Sequence, residues 1–270
     1  MTLLIRKIKH YFIYPAKFRK LFASVILQEV TPNDFLDPEV RKKIFSTYRD
    51  IFGHGGDHEW GEYARCASCK KVYDIETVHG FKEYIHISSL PTELPESRCC
   101  SAPLEYFYEE NLLEKRFKSI LSKNGVMYVL KDEKKDHIVG LIIGCVCELH
   151  FAWREYIQDK LILQKGFQSA HPESNEKLVY IDEIGVVKSH RHGRFPFFSL
   201  FHAFLKKVQK NHSVSSILFW THKGSKLYHL TQQVKHEILV EDLENPPRAV
   251  ITVPFSIVYR MVRFISMVYN

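Results

Sequence analysis

Two sets of residues in this 270-residue chain have the types and spacing to do chemistry. The first is sulfur. Cys66 and Cys69 form a C-x-x-C pair, and Cys99-Cys100 follow after residues 70–98. Two cysteine pairs at that separation are the pattern of a zinc ribbon, in which one tetrahedral ion ties together a segment too small to hold itself by burial. The second pair is irregular because its cysteines are adjacent, and adjacent side chains on extended backbone point in opposite directions. The fourth ligand therefore stays open between that pair and His79, His86 or Glu96. A redox C-x-x-C is the weaker reading, since no helical pattern follows Cys69. Cys145 and Cys147, two apart on an apolar strand, read as core.

The second set is acid and base around one strand. Asp182 and Glu183 sit inside the apolar run Leu178–Val187 (LVYIDEIGVV), and a carboxylate there needs either an ion-pair partner or a task. His190, Arg191, His192, Gly193 and Arg194 follow, and then a helical pattern from Phe197 to Lys210. A strand that feeds a basic turn and a helix start makes an anion site, because the first-turn amides are free and the helix dipole favours negative charge. A pyrophosphate suits it.

The elements that would position these groups alternate. Ala23–Val30 reads as a strand and Thr31–Asp34 as a turn and cap. Residues 37–52 place Val40, Ile44, Tyr48 and Ile51 on one helical face. Residues 62–108 read as short strands and loops, with His54 and His58 at the entry to that segment. Helical spacing returns at 111–123, and 126–130 and 137–147 read as neighbouring strands around the charged turn 131–136. After 178–187 and its helix come a strand at 216–221, a short helix at 225–233, closing strands at 237–240 and 249–253, and an amphipathic helix from Phe255 to Tyr269. The order strand, helix, strand over 178–221 implies a parallel crossover.

The residues of the second set resemble those of GNAT N-acetyltransferases. Ile181-Asp182-Glu183-Ile184 with Val186 is similar to the family's fourth strand, and Arg191 onward to its acyl-CoA loop, written R/Q-x-x-G-x-G/A. Val25–Asp34 resembles the first strand and turn, Ile138-Val139-Gly140 a following strand, and Thr221 with Leu227-Tyr228 the fifth strand and the short helix after it. The likeness covers about residues 23–55 and 111–253. It implies an α/β (α+β) fold with a GNAT-like mixed central sheet flanked by helices. It also implies acetyl-CoA as co-substrate and an amine as acceptor. In that scheme Glu183 is the general base, Tyr228 the general acid, and Val186 and Val187 amides hold the thioester carbonyl. Arg191, His192, Gly193, Arg194 and Phe195 would meet the CoA. The loop departs from the pattern: Arg194 stands at the first glycine and Pro196, which has no N–H, at the second.

The expected division is a basic apolar extension at 1–22, a GNAT-like first strand and helices at 23–57, and a zinc-ribbon-like insertion at 58–108. A GNAT-like core follows at 109–254, with 148–177 as a further insertion, and an amphipathic tail at 255–270. Two functions fit. One is an N-acyltransferase acting on an amine-bearing small molecule or protein. The other is a non-catalytic protein of the same fold that docks a protein, RNA or membrane partner through the zinc module and the tails.

Charge bears on the partners. The chain has 38 basic and 31 acidic residues, yet residues 1–22 and 248–270 hold basic residues and no acid. The net +7 therefore belongs to the ends. A nucleic-acid binder would carry its bases across a folded face. Basic, apolar ends suit an anionic membrane surface better. No run reaches the roughly 18 apolar residues of a membrane span. Charges follow Leu3-Leu4-Ile5 at once, unlike a signal peptide, so the expected location is the cytoplasm, with peripheral membrane contact as the refinement.

Overall fold

The computed structural model describes residues 24–55, 60–80, 90, 93–157, 176–191, 195–242 and 248–269. The expectations placed on 1–22, His58, His86, His192, Gly193, Arg194 and most of 158–177 fall outside these residues. Strand β1 (Val25–Glu29) runs into a turn closed by the Asp34 carboxylate, which accepts from the Thr31 amide at 2.8 Å and hydroxyl at 2.7 Å. Asp37 caps helix α1 (Pro38–Gly53) by accepting from the Glu39 amide, with Pro38 at the first helical position where no N–H is needed. Ile44, Tyr48 and Ile51 of the expected stripe are buried.

A separate small sheet follows, formed by β2 (Ala64–Cys66), β3 (Val72–Tyr73) and β4 (Leu104–Tyr106) in the order β3-β2-β4. Within its described residues lies a short helix, α2 (Ile75–His79), in a stretch that the sequence reads as strands and loops; Asp74 caps it and Gly80 ends it at φ 72°. The chain then re-enters the main body through α3 (Glu110–Ser122) and the hairpin β5 (Val126–Asp132) and β6 (His137–Glu148). Strand β5 reaches further into the charged turn than expected, because Lys131 and Asp132 still pair with Ile138 and His137, while β6 starts at His137 as expected.

After α4 (Leu149–Ala152) and the wider turn Trp153–Ile157 come β7 (Lys177–Val186), α5 (Phe195–Asn211), β8 (Ser216–His222) and α6 (Lys226–Thr231). The last elements are β9 (Glu237–Asp242), β10 (Arg248–Pro254) and α7 (Phe255–Tyr269). The main sheet has the order β1-β5-β6-β7-β8-β10-β9. Among the described strands only β7 and β8 pair in parallel, as the strand–helix–strand order requires. This is the mixed central sheet flanked by helices that the resemblance implies.

Helices cover both faces. A Cβ on Gly185 would collide with Ile51 of α1, so this glycine is what lets α1 lie against β7. On the opposite face, Gly140 and Gly144 admit Leu200 and Phe204 of α5. Helix α7 buries Phe255, Val258, Val262 and Ile265 and packs along α5, while Arg260, Arg263 and Phe264 stay exposed. No described helix is long and apolar enough to cross a membrane.

Candidate functional site

Strands β7 and β8 part company midway. They pair only at Val179–Ile217, Tyr180–Leu218 and Ile181–Phe219, although β7 runs on to Val186 and β8 to His222. Asp182 is an extra residue on β7 at this point: Ile143 pairs with Glu183 but Gly144 with Ile181. Such a bulge bends and twists its strand locally. Beyond it the polar backbone groups of β7 sort by edge. Val187 donates its N–H to the Val139 carbonyl at 2.9 Å. Successive residues of a strand aim their amides at opposite edges, so the Val186 N–H faces the edge that β8 has left. The Val186 carbonyl, on that same edge, accepts from Arg191 Nε at 2.6 Å.

Glu183 lies on the α1 side of this gap in a buried polar network. Its Oε1 accepts from the Tyr48 hydroxyl at 2.7 Å and stands 3.4 Å from Arg116. Arg116 also donates through Nε to Asp182 at 2.9 Å, and a second guanidinium nitrogen grips the same oxygen. The Tyr180 hydroxyl donates to that same Asp182 oxygen at 2.9 Å. Burial pushes the Tyr48 hydroxyl well above its usual value of 10, and the neighbouring Glu183 charge adds to that. Tyr48 is therefore a fixed donor, not a proton source. Asp182 is the structural member of the acidic pair and Glu183 the one that retains access, at 14% side-chain exposure.

The small sheet delivers its own residues to this network. Tyr108, at its exit, meets Tyr48 edge to face at 4.8 Å and donates its hydroxyl to Glu62 at its entry. Glu62 in turn holds Arg248 at 2.7 Å. Arg248 opens β10, opposite His222, and its guanidinium lies over the rings of Trp60 (5.5 Å) and Trp220 (4.8 Å). Trp60 also contacts Phe52 of α1 and His222 of β8. Sequence reasoning missed Tyr48, Glu62, Tyr108, Arg116 and Arg248. The one signal available was that Glu62 and Tyr108 flank the cysteine segment, where the chain must leave and rejoin the core.

Tyr228 lies in the first turn of α6, half-buried, just past the end of β8. Ser225 caps that turn, accepting from the Tyr228 amide at 3.1 Å and exchanging a hydrogen bond with Thr221 at 2.7 Å. Beside it, Phe197, Phe198, Phe201, Phe219, Leu227 and Val258 line a small apolar pocket between α5, α6 and α7. Arg191, expected near a phosphate, uses Nε on the Val186 carbonyl and a terminal nitrogen on the Ile51 carbonyl at 2.9 Å. It ties the loop's start to the ends of β7 and α1. Phe195 opens α5 and Pro196 follows, which removes one amide from the helix's first turn.

The four sulfurs of Cys66, Cys69, Cys99 and Cys100 converge, all within 4.8 Å of one another. Cys66 to Cys100 and Cys69 to Cys99 are each 3.1 Å, and Cys99 to Cys100 is 3.4 Å. Four thiolates about 2.3 Å from one ion sit roughly 3.8 Å apart, so the set has the size of a tetrahedral zinc site. The adjacent cysteines both reach it because they lie in a turn and not on extended backbone. His79 is engaged elsewhere, 3.1 Å from the Tyr63 hydroxyl, and Glu96 lies in a bridge to Pro103.

No protein-family model matches the chain, and no curated protein is similar to it in sequence. Among solved structures it is similar to a mosquito arylalkylamine N-acetyltransferase like 5b, at 10% identity over 86% of this chain and 100% of that one, with a TM-score of 0.46. It is also similar to Arabidopsis thaliana NAA60 in complex with acetyl-CoA (11%, 86% and 99%, TM-score 0.44). A third is the NatC complex bound to Gag peptide and CoA (10%, 86% and 98%, TM-score 0.43).

Proposed function

We propose that the chain is an acyl-CoA-dependent N-acyltransferase that moves an acetyl group from acetyl-CoA to the amine of a small molecule or protein. The observation that carries this reading is the parting of β7 and β8 beyond Ile181 and Phe219, with the Val186 amide turned toward the gap and Glu183 beside it. An ammonium must lose a proton before its nitrogen can attack a thioester carbonyl, and Glu183 takes that proton. The Val186 N–H donates to the carbonyl oxygen as charge gathers there. Tyr228, just past the end of β8, returns a proton to the sulfur as the C–S bond breaks. Arg116 balances the Glu183 charge, and Tyr48 fixes the orientation of its carboxylate.

The four cysteines hold zinc in this reading, and the ion's role is structural. It would clamp the ends of β2 and β4 whose other ends carry Glu62 and Tyr108, and so shape the acceptor side with Trp60. The engagement of Arg191 with two carbonyls and the proline at 196 favour a second reading, a binding protein that keeps the fold without turnover. Calorimetric titration of the full chain with acetyl-CoA and with CoA separates the two. Micromolar binding is expected. Glu183→Gln should leave that affinity within about threefold and lower acetyl transfer to an amine panel by about 10²–10⁴-fold. A well-folded chain that binds neither ligand belongs to the second reading.

A further inference from the structure

The two turns that bear the cysteines repeat each other bond for bond. In the first, the Cys66 amide donates to the Lys71 carbonyl at 2.9 Å and the Lys70 amide donates back to the Cys66 carbonyl at 3.0 Å. In the second, the Ser97 amide donates to the Ala102 carbonyl at 2.8 Å and the Ser101 amide donates back to the Ser97 carbonyl at 3.1 Å. Each turn then takes a non-glycine residue left-handed at the same place, Lys70 at φ 61° and Ser101 at φ 51°. Left-handed backbone is costly for such residues, so its recurrence marks a turn held to one shape.

This correspondence pairs Cys66 with Ser97, Cys69 with Cys100, and Ser68 with Cys99. Cys66 and Ser97 are the buried members, at 0% and 3% exposure. The first turn reads Cys-Ala-Ser-Cys and the second Ser-Arg-Cys-Cys. Cysteine and serine have exchanged places at the first and third positions. The serine hydroxyl at the buried first position still sits among the sulfurs: Ser97 Oγ is 3.3 Å from Cys66 Sγ and 3.6 Å from both Cys99 Sγ and Cys100 Sγ.

Resting on the zinc reading above, we propose that the second turn is a zinc knuckle whose first ligand position is filled by Ser97, with Cys99 supplying the missing thiolate from the third position. Ser97 is a positioning residue: its single hydroxyl proton is donated to one neighbouring thiolate, Cys66 being nearest, and steadies that charge without binding the ion. Cys99 binds from a position that the first turn leaves to the exposed Ser68. The sulfur should therefore be transferable within the turn.

The test is cobalt(II) titration of the full reduced chain, because sulfur-to-cobalt charge-transfer intensity counts thiolates. The unaltered chain should bind one equivalent with the tetrahedral four-thiolate spectrum. Cys99→Ser should lose about a quarter of the charge-transfer intensity, as befits three thiolates, and bind cobalt at least tenfold more weakly. The double variant Ser97→Cys with Cys99→Ser should regain both the four-thiolate intensity and the affinity. Ser97→Ala should keep four-thiolate intensity while binding more weakly. A double variant that stays at the Cys99→Ser level, with the same circular dichroism as the parent, overturns the exchange, as does a Cys99→Ser chain with undiminished intensity. If the unaltered chain shows no tetrahedral cobalt spectrum, the zinc reading fails first and takes this inference with it.

Discussion

The small sheet and the seven-stranded sheet stand side by side but are held by different means. The large sheet buries a continuous apolar core between α1 and α3 on one face and α5 and α7 on the other. Among the described residues, the small one has a separate apolar cluster of Tyr63, Ala64 and Ile75, with Cys66 and Tyr73 of its strands also buried. A cluster of that size contributes far less burial than the main core does. In the zinc reading, four converging thiolates add to that burial, because ion binding there is also folding free energy. That reading draws the stability of one region from apolar sequence and of the other from a few point contacts. The two regions are joined by polar contacts: Tyr108 to Glu62 to Arg248, Arg49 over the Tyr106 ring at 3.9 Å, and His54 between Asp50 and Glu76.

Removing the metal should part the two regions most. A strong chelator under reducing conditions should erase hydrogen-exchange protection in β2 to β4 while β6 and β7 keep theirs, since structural zinc is worth about 10 kcal/mol or more to such modules. Equal loss in both sheets would break the comparison. The converse perturbation is Arg116→Ala. It strands the buried Asp182 carboxylate and should cost about 3–5 kcal/mol in denaturant unfolding, with metal content unchanged. A variant that lost its metal instead would show that the network and the module fold as one unit.

The smallest effect sits at the joint. Burial alone would lower the His54 value, but hydrogen bonds to Asp50 and Glu76 outweigh it and raise it above 6.5. Glu76 is lowered from 4.5: burial opposes this, and the bond with His54 prevails. Lys188, 3.4 Å from Glu76, is the other charge facing the group. A raised histidine stabilises fully below its unfolded value and loses that as pH climbs through the folded one. A lowered carboxylate stabilises above its unfolded value and loses that as pH falls. The joint is therefore strongest between about pH 4.5 and 6.5. His54→Gln should cost about 1.5–3 kcal/mol there, the range for hydrogen bonds to charged groups, and the difference from the unaltered chain should shrink toward pH 9. A pH-independent difference would mean that His54 acts by shape alone.

The order of elements was legible from the chain because burial writes itself into local spacing. The stripe Ile44, Tyr48, Ile51 is periodic and Leu178–Val187 is a continuous apolar run, and each shows within one window. Glu183 also stood out, as a carboxylate on an apolar strand, with Asp182 beside it in the motif. Their separate fates did not, since Arg116 reaches Asp182 across 66 positions and Tyr48 reaches Glu183 across 135. A pairing at that range has no local period. Tyr48 read simply as core, which it is, while its hydroxyl does the orienting.

By itself, then, the sequence determined the alternation of strand and helix, the parallel crossover after 178–187, and the sulfur pairs, because each depends on residue type and near spacing. Tertiary structure decided where β7 leaves β8 and which way the Val186 amide faces. It also decided that Arg191 binds carbonyls, and that adjacent cysteines turn toward one point. Those outcomes depend on strand register, on a one-residue bulge and on left-handed turns, which are settled only when distant segments compete for the same hydrogen bonds.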